Sequence, residues 1–169
     1  MADLYSQRVN QTLAFAQYAL VNITFELNNE SPNRMKLRGL QEAALFHLDS
    51  AFTAYLQELA ERERVLLTEV TLFELSKAFH QQAIYCSELN ELELLSQDQS
   101  SWLSKLLRAS TAIHKPQVIV QETKSLSQIA ITDLAKESSL EEQLETQLQE
   151  WFEQLRTMVQ RHRSNAQEW

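Results

Sequence analysis

Glycine occurs once and proline twice in this chain of 169 residues, and that shortage limits its folding options more than any other feature. Average glycine usage is about 7%. Two-residue hairpins, left-handed helix caps and phosphate-cradling loops all draw on glycine. A chain this poor in it can bury apolar surface only by packing long helices joined at few turns. The same shortage excludes a Gly-rich phosphate loop, a dinucleotide fingerprint and a strand–Ser–helix nucleophile turn. The expected fold class is therefore all-α: about five helices in mostly antiparallel order, with an irregular extended arm before the last helix. Residues 1–169 are read as a single domain, since this length is ordinary for one.

Apolar periodicity places the helices. Val9, Leu13, Ala16, Leu20, Ile23 and Leu27 line one face of a first segment, residues 4–28. Ala14, Tyr18, Val21 and Phe25 form a second apolar row beside it. A stripe this wide predicts a helix held between neighbours rather than at the rim. Ser31-Pro32 reads as an N-cap followed by the first helical position. The second helix then runs to about Arg64, with Gly39 inside it as a candidate close approach between helices. A third helix is expected over 68–86, followed by short helical turns through Leu89–Leu95. A fourth is capped by Ser100 or Ser101 and stops before Pro116. Residues 115–137 carry the β-branched runs Val118–Val120 and Ile129–Ile131, which fit either two strands or an extended arm. Ser139 and Glu142 form a capping box for the last helix, which ends near Arg163.

Net charge is −8. An acidic chain repels nucleic-acid phosphates, so nucleic acid is not an expected partner. Cys86 is the lone cysteine, and no adjacent basic side chain activates its thiol, which reads as inert. With no disulfide framework, no basic leader and no apolar run of membrane-spanning length, the expectation is a soluble cytoplasmic protein without a membrane segment.

Leu4-Tyr5, Asn10-Gln11 with Leu13, Glu42-Ala43-Ala44-Leu45-Phe46-His47-Leu48, and Ser101-Trp102-Leu103 with Leu106-Leu107 resemble a gammaproteobacterial family of uncharacterised small helical proteins. The resemblance covers about the first two thirds of the chain, and Glu42–Leu48 is its most specific piece. It implies a bacterial cytoplasmic helical protein, and it brings no catalytic residue, ligand or cofactor.

Three functional readings follow. The preferred one is a non-enzymatic interaction or structural bundle that pairs with itself, as a homodimer, or with another protein. Its motive is the four-three seam Leu144, Leu148, Trp151, Leu155 and Met158, which has a coiled-coil-like spacing. The second is a small-ligand binder with a pocket near His47, Tyr18 and Phe52, where small neighbours leave room for an imidazole. The bland alternative for His47 is a half-buried structural histidine. The third rests on Arg156 and His162, whose spacing resembles the motif of HEPN nucleases. That resemblance implies Arg156 on a phosphate and His162 in proton transfer. The competing explanation is that Arg156, Arg161, His162 and Arg163 complement a helix C-terminus. No Glu-x-x-His pair occurs, so no metal ligand is assigned, and neither cofactor nor catalytic residue is.

Overall fold

The computed structural model describes residues 3–113 and 132–167. Among these the fold is all-α, with no strand. The helices are α1 (Asp3–Leu27), α2 (Arg34–Arg62), α3 (Leu72–Gln81), α4 (Ser87–Gln97), α5 (Trp102–Ile113) and α6 (Thr132–Gln167).

α1 and α2 form an antiparallel hairpin and share the most extensive packing in the molecule. At one end the Glu26 carboxylate accepts from Asn33 N–H (2.8 Å) and pairs with Lys36 (2.5 Å). At the other end Glu58 of α2 and Ser6 and Asn10 of α1 meet a shared partner on α6. α6 therefore runs antiparallel to α1 and alongside α2. α5 brings its C-terminal end to the start of α2, α4 packs on α5, and α3 bridges α4 and α2. The core is continuous through Val9, Ile23, Leu37, Leu48, Leu75, Leu92, Leu106, Leu148 and Leu155.

Four boundaries differ from the sequence expectation. Asn33, not Ser31, caps α2, its side chain accepting from Lys36 N–H at 3.0 Å. Both are good caps, and the Glu26 bond to the Asn33 amide selects the later one. The expected helix over 68–86 is shorter, begins with Thr71 capping Glu74 N–H (3.2 Å) and ends at Gln81. The following turns are a full helix, α4. The start of α5, by contrast, agrees with expectation: Ser101, one of the two candidate caps, accepts from Ser104 N–H at 3.0 Å. Lastly, α6 starts at Thr132, so the expected arm's last residues and the Ser139–Glu142 capping box lie within a helix. Leu134-Ala135-Lys136-Glu137 are strong helix formers. Val118–Val120 and Ile129–Ile131 lie outside the described residues.

The turns after α2 and α3 show how a chain with one glycine stops a helix. Arg64 (φ 57°) and Ala83 (φ 52°) occupy the left-handed conformation glycine usually takes. Each sits in a Schellman motif: Val65 N–H reaches Ala60 O (2.8 Å) and Arg64 N–H reaches Glu61 O (3.0 Å). The pair Ile84–Phe79 (2.9 Å) and Ala83–His80 (3.2 Å) repeats the pattern. Val65 and Phe79 are buried, so apolar anchoring offsets the steric cost of a side chain in that conformation.

Candidate functional site

The residues read from sequence as a ligand pocket are spread across different environments. Phe52 is buried in the core, and Tyr18 is 73% exposed. His47 is half-buried, its ring 5.3 Å from Phe15 and 5.5 Å from Phe46. Burial and then the nearby Arg8 charge hold the imidazole below its usual pKa, so it stands neutral at pH 7 in an aromatic cluster joining α1 to α2. Gly39 is exposed, with no atom within 4 Å of where a Cβ would stand. No close helix approach depends on it.

The α6 seam is consumed inside the chain. Leu148, Trp151, Leu155 and Met158 are buried against the chain's own helices, and Leu144 packs at the core margin. Arg156 pairs with Glu153 at 2.7 Å and lies over the Phe152 ring, at the surface. His162 is buried elsewhere and holds two partners. Tyr55 Oη lies 2.5 Å from its Nδ1, and its Nε2 lies 3.0 Å from Glu91. Burial first, and then the Glu88 charge, pushes the Tyr55 phenol above its usual value. The phenol therefore keeps its proton and donates to Nδ1, leaving Nε2–H to donate to Glu91.

The helix dipole, the explanation that competes with the nuclease motif for the basic residues near the end of α6, does not fit their position. α6 continues to Gln167 with no basic residue in its last turn, so their role is tertiary. Successive helical positions point about 100° apart, and Arg161, His162 and Arg163 accordingly reach different neighbours. Arg161 pairs with Glu91 of α4. Arg163 forks onto Glu58 (2.8 and 2.6 Å) and reaches Asn10 Oδ1 (2.9 Å) and Ser6 O (3.3 Å). Beside them Arg62 pairs with Glu88 at 2.8 Å and approaches Cys86 Sγ at 3.6 Å. Burial dominates at that thiol and raises its pKa, so it stays protonated despite the guanidinium. Tyr55, His162 and Glu91 resemble a proton relay in composition, but both imidazole nitrogens are occupied and the ring is closed off from solvent. The arrangement fastens four helices together. Among the described residues no three His, Cys, Asp or Glu side chains gather to hold a metal ion, and no helix is long and apolar enough to cross a membrane.

Large apolar side chains are exposed at several places among the described residues, Leu66, Phe73 and Tyr85 included, and α1 carries a row of them. The row that predicted a second neighbour faces solvent instead: Ala14 is exposed, as are Tyr18, Val21 (62%) and Phe25 (67%), and Phe15 beside the row is 43% exposed. α1 sits at the rim because its first row alone packs on α2 and α6. Phe46 of α2 extends the patch, also exposed. Residues 9–25 contain no charged side chain. Val21 and Phe25 also form one wall of a groove of about 470 Å³ between α1 and α6, floored by Leu20 and Phe152. The sequence showed this row clearly; what it did not show was that no described helix covers it.

A family of unknown function (DUF6586) matches residues 1–169, and the chain belongs to it. No curated protein and no solved structure matches the chain.

Proposed function

We propose that this family member is a non-enzymatic interaction bundle that self-associates through α1, two copies laying their Phe15–Tyr18–Val21–Phe25 rows together. The observation that carries the reading is the exposed row itself. Aromatic side chains bury about 150–250 Å² each, so this row with Phe46 offers on the order of 500 Å² per chain. That is at the upper end of the roughly 300–600 Å² of a monomer's largest apolar patch. It is also most of the ~800 Å² per partner of a standard interface, with Gln11 and Asn22 placed to form the rim.

Charge favours a second copy as occupant. Two chains of net charge −8 repel wherever charged faces meet, and the uncharged stretch 9–25 is where they approach without that penalty. A two-fold axis across α1 sets each row on its counterpart, as an isologous interface requires, and the α1–α6 groove can receive an aromatic side chain from the partner. The protonated, buried Cys86 thiol suits a reducing compartment, and we place the protein in the bacterial cytoplasm.

Light scattering coupled to size exclusion tests the reading, with the full chain at about 100 µM and the double variant Tyr18→Glu/Val21→Glu. The wild type should elute with the mass of a dimer and the variant with that of a monomer, with the same helical circular dichroism. A wild type of monomer mass, or a variant that stays dimeric, overturns it.

A further inference from the structure

A second surface has a different chemistry. Between α2, α5 and α6 lies a cleft of about 500 Å³, within the ~300–1,000 Å³ range of small-molecule sites. Its floor is Leu45 and Leu148, both buried, and Ile113 and Leu144 form apolar walls. Arg34, Arg38, Gln41 and Leu45 recur on α2 at steps of four, three and four, so one helix face presents all of them to the cleft. Among the described lining residues, the charged end holds two guanidinium groups and one carboxylate, Glu42, which lies 3.5 Å from Arg38. Counted over those residues, guanidinium groups outnumber carboxylates at the mouth, in a protein that is acidic as a whole.

The decisive feature is Gln41. It lines the cleft, it is only 8% exposed, and its Nε2 has no hydrogen-bond partner among the described residues. A buried amide donor without an acceptor is costly, and folded proteins avoid it. A ligand oxygen at this position removes the cost. The donor stands between a cationic mouth and an apolar floor, so the matching molecule carries an anionic oxygen head on an apolar tail.

We propose that the α2–α5–α6 cleft binds a medium-chain carboxylate. Its head accepts from Gln41 Nε2 beside Arg34 and Arg38, and its tail lies on Leu45 and Leu148. The site is separate from the α1 face, so either proposal can fail alone. Isothermal titration of the full chain with sodium dodecanoate, below its micelle concentration, tests it, with octyl glucoside and acetate as comparators.

Dodecanoate should bind saturably and raise the melting temperature, whereas the head alone and the uncharged amphiphile bind at least roughly tenfold more weakly. Gln41→Met keeps the shape and removes the donor. It should weaken dodecanoate binding roughly tenfold while leaving the unliganded protein at least as stable as the wild type. Ala112→Phe, on the exposed lip of the cleft, should block binding with the helical spectrum intact. Absence of saturable binding overturns the proposal. So does undiminished binding by both variants, or binding of octyl glucoside as tight as that of dodecanoate.

Discussion

Removing one oxygen atom from the α2–α6 contact isolates what the buried polar network contributes. Tyr55 is 1% exposed and His162 3% exposed, and the phenol donates to Nδ1 across 2.5 Å. Tyr55→Phe preserves the ring and its packing but leaves Nδ1 as a buried acceptor without a partner. The net value of a hydrogen bond is about 1 kcal/mol, but an orphaned buried group costs roughly 1–3 kcal/mol, and the second figure applies here. In a chain of this size each kcal/mol moves the melting temperature by about 2–4 °C, so a loss of roughly 2–12 °C is expected. His162→Leu in the same background removes the orphan, and Glu91 keeps Arg161. The double variant should therefore be more stable than the two single losses added together, with a coupling of about 1–2 kcal/mol. Urea unfolding of all four proteins at one fixed concentration, which holds any association constant, gives the cycle directly. A Tyr55→Phe change below about 0.3 kcal/mol, or strict additivity, would refute the assignment of the phenol proton to Nδ1.

Other outcomes follow from the same structure. Because folding lowers the His47 pKa, the unfolded chain binds the proton more readily. Stability is complete above about pH 6.5 and declines as pH falls from there toward the lowered value. At Glu91 burial raises the pKa but bonds from His162 and Arg161 outweigh it, and its net value is lowered. A second loss is thus expected below about pH 4.5, and urea midpoints that stay flat from about pH 7.5 to 3 would contradict both. Gly39→Ala, helical and uncrowded, should stabilise by about 0.5–1 kcal/mol. The reverse substitution, Ala83→Gly, should also stabilise by a similar amount, because it relieves a left-handed alanine. Calorimetric melting separates these two from a uniform preference for alanine. Leu155→Ala should cost about 2–5 kcal/mol in urea unfolding without changing the mass in solution, since Leu155 packs inside the chain.

The helices were legible because apolar spacing reports which face is buried, and Val9 through Ile23 or Leu148 through Met158 are buried as that spacing requires. The break at Ala83 was not, because the sequence reading took glycine and proline as its punctuation and the chain ends α3 with an alanine. Tyr18 and Phe25 show the same limit from the other side: spacing marks a row as apolar and does not say whether this chain or another covers it. The His162 pairing joins residues 107 positions apart, and Gln41 is distinguished only by a missing partner. Local pattern carries neither signal.

Arg163 joins the last helix to Ser6 and Asn10, across 157 and 153 positions of sequence. During synthesis the α1–α2 hairpin therefore exists long before its clasp. Until residue 163 emerges, the surface destined for α6 stands open beside the uncharged stretch 9–25 of α1, and a ribosome stalled short of that point holds an unlatched bundle. Ribosomes queued on one message would hold several such open surfaces close together, so the interval before the clasp forms is when sibling chains are most prone to adhere.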